Sequence, residues 1–425
     1  MRDKLRDRLA EIEHHLTEEL LPYWRMRGDD PEYGGFLTCF DPAGKPTGES
    51  DKNLLANCRL VFSFSLIARE GLDHDGSFLR RATEGAQWVL DHFTDREHGG
   101  YYWIVERDGT PLNPRKIIYG HSFVVYAFSE LAMATGEDRW LAAAVETFEL
   151  LQNKAADQTD GGYWEFFERN WDHSPPGPGG GDRKSLDVHM HLMEAFTNLY
   201  AAAGDPVHAT RTRELIGLLT ERMLHPEHGT GIAQFDRSFN PLRAILFDNV
   251  WGSDRDMEDS SGRPLDNTSY GHNVELGWLL RWSLGVLGEV LGGYRRKILR
   301  LYDHCLRFGI DRQLGGVFCE GPNAGAARER NKEFWQQAET MVAMLDGYEI
   351  TGDQRYLEGY DNVHRFVFDR MINHALGEWL PLFDEHNNVI WDYMGHRWKI
   401  NYHTVRGMIE CRRRLNTLLS EDSSA

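Results

Sequence analysis

A histidine and a glutamate with the spacing of an acid–base pair open one predicted helix of this chain. His272 and Glu275 lie three residues apart, just before the apolar run that begins at Leu276. Residues three apart on a helix project from the same face. A carboxylate beside an imidazole can hold one tautomer and raise the basicity of the ring. We therefore expect Glu275 to support His272; a helix cap with a buried, hydrogen-bonded histidine is the alternative.

Comparable residues stand at the starts of five further predicted helices. Each start bears polar or aromatic side chains beside otherwise apolar helix, and the candidates are Arg59, Tyr119, His121, Asp187, His189, His191, Trp335, Glu339, Trp398 and His403. If the six helix starts converge, they form a concave cluster of titratable and aromatic groups. Such a cluster is a candidate active site.

A metal centre is one interpretation of this cluster. His189 and His191 form an HxH motif, but helical residues two apart point about 200° from each other and do not face one ion. The chain has no HExxH motif, and few other ligands match in geometry. We therefore predict a site without a metal and assign His189 a structural role.

Glycoside hydrolysis is a second interpretation, because it requires two carboxylates that flank the scissile bond. Asp187, Glu275 and Glu339 could supply them. The cluster is nevertheless richer in histidine than this reaction needs. The number of histidines indicates a reaction in which imidazoles, and not carboxylates, transfer the proton.

Removal of a proton from a carbon beside a carbonyl is the third interpretation, and the one that we favour. Imidazole titrates near neutral pH, so one histidine can take the proton and another can return it. Inversion of a stereocentre needs delivery to the opposite face of the carbon. His272 and His403 supply two bases, and His191 remains for ring opening or for the carbonyl oxygen.

An internal repeat must position these residues. A Gly-aromatic signature recurs with its first glycine at positions 34, 99, 161, 229, 315 and 377. A second marker, at Gly136, Gly204 and Gly352, precedes the next signature by 25 residues in each case. This spacing predicts a β-hairpin or loop, a helix, a glycine turn and a second helix in each unit.

Six such helix pairs can bury their apolar faces by closing into a ring. We predict an all-α protein with one domain over residues 1–425, an (α/α)6 barrel with an inner and an outer ring and short β-hairpins at one end. An open α-solenoid is the alternative. The loops at 175–181 and 248–266 could cover the pocket.

Composition and charge limit the classes of molecule that we expect the protein to bind and the compartment in which we expect it. The net charge of −19 argues against nucleic acid and anionic membrane surfaces. Five cysteines without a CxxC motif indicate neither a disulfide framework nor a zinc site. A charged N-terminus and the lack of a long apolar run predict a cytoplasmic protein. The sequence leaves a monomer and a homodimer equally open.

At these residues the chain resembles the N-acylglucosamine 2-epimerase superfamily, in its cellobiose and mannose 2-epimerase branch. The resemblance rests on the Tyr-Gly-His-Asn-Val-Glu stretch at 270–275, the helix at 189–191, Trp335 to Glu339 and Trp398 to His403. It implies an (α/α)6 barrel, no metal or other cofactor, and a small sugar as substrate.

The resemblance also implies roles for the candidate residues. His272 and His403 would be the general acid/base pair at C2 of the sugar, acting through a cis-enediol, with Glu275 in support of His272. His191 would assist ring opening, and Arg59 would stabilise the enediolate. The residues expected to hold the sugar are Tyr119, His121, Asp187, Trp335, Glu339 and Trp398.

Two departures from the branch bear on the substrate. Cellobiose 2-epimerases usually carry asparagine where this chain has Asp187, and commonly glutamine where it has His121. We therefore predict interconversion of free D-mannose and D-glucose. A cellobiose 2-epimerase acting on the reducing-end glucose, an aldose–ketose isomerase, and a non-catalytic sugar- or protein-binding barrel are the alternatives.

Overall fold

The computed structural model of the protein describes residues 2–244 and 263–421. These residues form thirteen α-helices: α1 (Arg2–His14), α2 (Leu21–Arg25), α3 (Leu54–Arg69), α4 (Ser77–His92), α5 (Ile118–Thr135), α6 (Asp138–Lys154), α7 (Leu186–Ala203), α8 (Pro206–Arg222), α9 (Tyr270–Val286), α10 (Tyr294–His304), α11 (Phe334–Thr351), α12 (Gln354–Phe366) and α13 (Asn401–Glu421).

Short strands connect the helices. Within the described residues they are β1 (Lys52–Asn53), β2 (Ile104–Val105), β3 (Pro111–Asn113), β4 (Lys116–Ile117), β5 (Phe166–Phe167), β6 (Lys184–Ser185), β7 (Gln234–Phe235), β8 (Pro241–Leu242), β9 (Asn267–Ser269), β10 (Glu320–Pro322), β11 (Lys332–Glu333), β12 (Ile372–Asn373), β13 (Glu378–Trp379), β14 (Leu382–Phe383) and β15 (Val389–Trp391). They pair antiparallel in six small sheets. The predicted all-α class with short hairpins is confirmed.

Six helices form a closed ring by contacts between neighbours. Helix α3 packs on α5, α5 on α7, α7 on α9, α9 on α11, α11 on α13, and α13 returns to α3. Each of these inner helices also packs on one outer helix. The outer partners of α3, α5, α7, α9 and α11 are the helices that follow them in the chain, while α1 packs on α13. The N-terminal helix thus completes the last pair, which the repeat alone did not indicate.

The burial of the two kinds of helix follows from their sequences. Inner helix α5 is apolar on nearly every side and buries most of its side chains between Ile118 and Ala132. Outer helix α6 buries one stripe, which includes Trp140, Ala144, Phe148 and Leu151. A helix apolar all round belongs inside, and one with a single apolar face belongs on the surface.

The predicted glycine turns end the inner helices. Gly136, Gly204 and Gly352 cap α5, α7 and α11 with φ of +70°, +68° and +70°. Glycine adopts this left-handed backbone at little cost. Asp205 and Asp353 then cap the outer helices that follow, each accepting a hydrogen bond from a backbone N–H of the first turn.

The sheets place the starts of the inner helices at one end of the ring. The strand just before an inner helix pairs with the strand after its outer partner, as β4 before α5 pairs with β5 after α6. The same holds for β1 with β2, β6 with β7, β9 with β10 and β11 with β14. The helix starts that carry the candidate residues therefore face the sheets.

The structure describes the first of the two loops that were predicted to cover the pocket, and only the end of the second. The loop at 175–181 contains a short 3-10 helix, Gly177–Gly179. Most of the loop at 248–266, residues 248–262, lies outside the described residues.

Among the helices of the described part of the chain, none is both long and apolar enough to cross a membrane.

Candidate active site

Buried ion pairs fix the starts of the inner helices. Lys116, Lys184 and Lys332 stand two residues before α5, α7 and α11, and each contacts the aspartate that opens a Gly-aromatic loop, at 2.8 Å in all three cases (Asp95, Asp157 and Asp311). Before α9 the equivalent residue is Thr268, whose hydroxyl donates to the carbonyl of Gly231 at 2.7 Å. These contacts hold the helix starts in place.

His121 and His189 belong to a second set of structural contacts. The Nε2 atom of His121 accepts a hydrogen bond from the backbone N–H of Tyr101, and Nε2 of His189 accepts one from Tyr163, both at 3.0 Å. Both rings are fully buried, and each Nδ1 bonds the carbonyl four residues earlier. The equivalent side chains Asn57, Asn273 and Gln337 accept from the loops in the same way.

This placement corrects the prediction for His121. Its ring nitrogens are both used by the backbone, and it does not line the cavity at the ring mouth. The same geometry agrees with the structural role predicted for His189. The histidine five residues after the buried lysine accepts a hydrogen bond from the backbone of the loop. The residue seven after the lysine points toward the ring axis instead.

One cavity opens where the inner helices begin. Its walls include the predicted site residues Arg59, Tyr119, Asp187, His191, His272, Glu275, Trp335, Trp398 and His403. Glu339 lies one layer deeper, behind His403. The structure thus brings most of the candidate residues together in one cavity, although the partners of several residues differ from those expected.

His403 is buried and oriented by a carboxylate. Its Nδ1 lies 2.7 Å from Oε1 of Glu339. An Nδ1–H that donates to Glu339 leaves Nε2 as an acceptor. Burial lowers the pKa of His403 to about 3, even though Glu339 opposes the shift. The ring is therefore neutral at neutral pH and available as a base.

His272 is the more accessible histidine, with 34% of its side chain exposed. Burial in the cavity wall lowers the pKa of His272, although the charge of Asp187 opposes the shift. The ring contacts Trp335 at a centroid distance of 4.8 Å, and His403 contacts the same indole at 5.6 Å. The two neutral imidazoles therefore contact the same tryptophan.

The expected support of His272 by Glu275 is wrong. The Glu275 carboxylate accepts a hydrogen bond from Nη2 of Arg406 at 2.5 Å. The carboxylate nearest to His272 is Asp187, whose Oδ1 is 3.5 Å from Nε2. A three-residue separation is only an approximate match to the helical turn, and here Glu275 points to the ring axis while His272 points to the mouth.

His191 carries a positive charge at neutral pH, unlike His272 and His403. Its Nδ1 lies 2.8 Å from Glu194, and its Nε2 lies 3.3 Å from Asp187. Burial alone would lower the pKa of His191, but the two carboxylates outweigh it and raise the pKa to about 9. His191 is therefore an imidazolium at neutral pH. The site combines two neutral bases with one cationic acid.

Aromatic and basic side chains complete the wall beside His191. Tyr119 stacks on the His191 ring at 5.1 Å, and its hydroxyl accepts a hydrogen bond from Nη2 of Arg59 at 2.9 Å. The Nε of Arg59 is buried and has no hydrogen-bond partner among the residues that the structure describes. A donor of this kind lies in place for an oxygen of a bound molecule.

The sequence reasoning missed Arg406, which sits at the centre of the ring. Its guanidinium binds Glu194, Glu275 and Glu339 and is nearly inaccessible to solvent. A signal existed: Arg406 follows the buried Lys399 by seven residues, as Arg59 follows Lys52. Glu194 was also missed, and its spacing of three from His191 is the only local hint.

Arg406 also bears on the metal and glycosidase interpretations. Glu275, Glu339 and His403 each offer a donor atom within 4.8 Å of the others, but the guanidinium already binds both carboxylates. A glycosidase needs two carboxylates that flank the substrate. Asp187 and Glu275 line the cavity, with Glu275 bound to Arg406, whereas Glu339 lies behind His403.

Comparison with known proteins agrees with this geometry. The sequence profile described as N-acylglucosamine 2-epimerase (GlcNAc 2-epimerase) matches residues 35–407. That range is most of the chain and contains every candidate residue. The chain belongs to the N-acylglucosamine 2-epimerase family.

Relatives in the N-acylglucosamine 2-epimerase family match along nearly their whole length. A cellobiose 2-epimerase from Bacteroides fragilis is 29% identical over 94% of this chain and 97% of its own. A D-mannose isomerase from Marinomonas mediterranea is 24% identical over 94% and 95%. The solved structure of a cellobiose 2-epimerase from Spirochaeta thermophila superposes with a TM-score of 0.85 at 27% identity, covering 98% of this chain and 99% of that one.

These relatives confirm the predicted resemblance and show that the protein is an enzyme of the isomerase class. They carry three different names within the N-acylglucosamine 2-epimerase family, since a bovine N-acylglucosamine 2-epimerase also matches at 26% identity. Membership therefore fixes the class of reaction more closely than the substrate.

Proposed function

We propose that this protein is a sugar 2-epimerase that interconverts D-mannose and D-glucose through a cis-enediol. The observation that carries the proposal is the position of His272 and His403, two neutral imidazoles in contact with the same indole of Trp335. One ring takes the C2 proton of the open-chain sugar, and the other returns a proton to the opposite face.

The other charged groups of the cavity fit the remaining steps. The His191 imidazolium can protonate the ring oxygen as the sugar opens, because its proton is held by Asp187 and Glu194 at neutral pH. Arg59 presents to an oxygen of the enediolate an Nε–H that no other described residue accepts. Tyr119, Trp335 and Trp398 offer apolar faces for the sugar ring.

The substrate preference rests on Asp187. Of the two sequence departures that favoured free monosaccharides, only Asp187 lines the cavity. A carboxylate there can accept hydrogen bonds from two sugar hydroxyl groups. Cellobiose is the second candidate, because several of the relatives along the whole chain are named cellobiose 2-epimerases.

A side-by-side assay separates these candidates. D-mannose, cellobiose and N-acetylglucosamine are supplied separately, and the products are identified by chromatography. We expect glucose from mannose at the highest kcat/KM. Accumulation of fructose would make the enzyme an aldose–ketose isomerase, like the relative named D-mannose isomerase, and binding without turnover would favour a non-catalytic barrel.

Single substitutions test the two-base step. In His272→Asn or His403→Asn, epimerisation should stop, but the remaining base should still exchange the C2 proton of one epimer with solvent. The two variants should act on opposite epimers. Full turnover in either variant removes that histidine from the pair.

We also propose that the ring of helix pairs is the (α/α)6 barrel predicted from the sequence, formed as one domain. The neighbour contacts of the six inner helices and their outer partners support this assignment. Cytoplasmic location, the lack of a cofactor, and the choice between monomer and homodimer remain predictions.

A further inference from the structure

The centre of the ring contains more carboxylates than cations. Glu194, Glu275 and Glu339 all bind the guanidinium of Arg406, and all three are buried. A carboxylate taken out of water must be paired or must accept a proton. The other hydrogen-bond donors around the three carboxylates decide which carboxylate is least stabilised as an anion.

Glu194 and Glu339 are well supplied with donors. Glu339 accepts from Nη2 of Arg406 at 2.7 Å, from the indole N–H of Trp278 at 2.8 Å and from the His403 ring at 2.7 Å. Glu194 accepts from Arg406, from the Tyr402 hydroxyl and from the His191 imidazolium. Both are therefore stable as anions.

Glu275 has the weakest support. Among the described residues, its one hydrogen-bond partner is Nη2 of Arg406, and that nitrogen is shared with Glu339. Glu275 also lines the cavity, whereas Glu339 lies behind His403. Two carboxylates that share one N–H₂ group repel each other, and the one with fewer donors gains the proton.

We propose that Glu275 is the uncharged member of this cluster and presents a carboxylic acid to the cavity as the proton donor for a sugar oxygen. Burial and the neighbouring charge of Glu339 raise the pKa of Glu275, in agreement with the geometry. The titratable and charged groups that face Glu275 from the other helices are Tyr119 on α5, His191 and Glu194 on α7, Glu339 on α11, and Tyr402, His403 and Arg406 on α13.

The proposed step balances in protons and electrons. As a histidine takes the proton from C2, the electron pair of the C–H bond forms the C1=C2 double bond. The π pair of the carbonyl then forms a bond to the proton of Glu275, which gives the O1–H of the enediol. Glu275 is left as a carboxylate beside Arg406, and the reverse step on the other face of C2 restores its proton.

The protonation of Glu275 can be measured without substrate. We compare infrared difference spectra of the unliganded wild-type enzyme and Glu275→Gln at pH 7, in H₂O and in D₂O. The substitution should remove one carboxylic acid C=O band that shifts in D₂O. Loss of a carboxylate band instead would overturn the proposal.

Glu339→Gln is the matched control. It should remove a carboxylate band, and it should also weaken the carboxylic acid band of Glu275, because Glu275 is then the only carboxylate among the described residues that accepts from Nη2 of Arg406. An unchanged carboxylic acid band in this variant would show that the two groups do not compete for Arg406, and would contradict the assignment.

Turnover tests the donor role, which rests on the proposed function. Glu275→Gln keeps the shape and the neutral charge but has no acidic proton, so kcat should fall by about 100-fold, the usual contribution of a general acid. A loss of less than tenfold would overturn the donor role. The infrared result does not depend on which sugar is the substrate, so it fails or succeeds separately from the proposed function.

Discussion

Glu339 lies 2.7 Å from Nδ1 of His403 and orients this ring within the cavity wall. The carboxylate fixes the tautomer that leaves Nε2 as a base. The same Glu339 oxygen also accepts from Arg406. The central charge cluster and the His403 imidazole are thus joined through one carboxylate.

Loss of this carboxylate should impair turnover more than binding. In Glu339→Gln, we expect kcat to fall by about 100-fold with KM changed little, because the ring loses its preferred tautomer while Glu339 itself lies behind His403 and not in the cavity wall. Steady-state kinetics provide the measurement. Glu349→Gln, on the same helix but paired with Arg281, is the control. Equal kinetics for both variants would contradict the positioning role.

The glycine before His272 is required for close packing. A Cβ at position 271 would lie 2.6 Å from the Gln336 side chain and 2.8 Å from the Trp335 ring. Gly271→Ala should displace the indole that both histidines contact, and a misplacement of 1 Å can cost about 100-fold in rate. Gly285→Ala, on the same helix with open space around it, should leave kcat unchanged. Retained activity in Gly271→Ala would count against the role of Trp335.

The charge of His191 should set a pH dependence. Its pKa is raised to about 9, so the imidazolium is present below that pH and is lost as the pH rises through it. Asp187→Asn removes one of the two carboxylates that hold the proton, and should move the His191 titration to lower pH. NMR titration of the imidazole gives the direct measurement. A titration at the same pH in both proteins would show that Asp187 does not stabilise the cation.

Arg406 should be a major stabilising residue. Arg406→Met leaves Glu194, Glu275 and Glu339 without their shared cation, and breaking a buried ion pair costs about 3–5 kcal/mol. Urea unfolding of the variant and of Arg413→Met, on the exposed side of the same helix, gives the comparison. A difference below about 1 kcal/mol between the two variants would contradict the central role of Arg406.

The six inner helices with their outer partners, and the cavity where the inner helices begin, were predictable because the repeat is visible in the sequence. Glycine turns at 136, 204 and 352 mark the helix ends, and the converging helix starts follow from six copies of one unit. The partner of Glu275 was not predictable from its spacing to His272, because Arg406 lies 131 residues further along the chain. Contacts across the ring depend on closure, which local periodicity does not describe.

His121 shows a different limit. Histidine at a helix start resembles a catalytic residue, but in this repeat the same position holds Asn57, Asn273 and Gln337. A comparison of all units at that position would have identified an acceptor for a backbone N–H.

The most direct test of the account is solvent exchange at the sugar C2. When D-mannose is converted in D₂O, we expect deuterium at C2 of the glucose formed and also at C2 of the recovered mannose, because two histidines take and return this proton from solvent-exchangeable positions. Glucose formed with its C2 hydrogen retained in full would contradict proton transfer by His272 and His403.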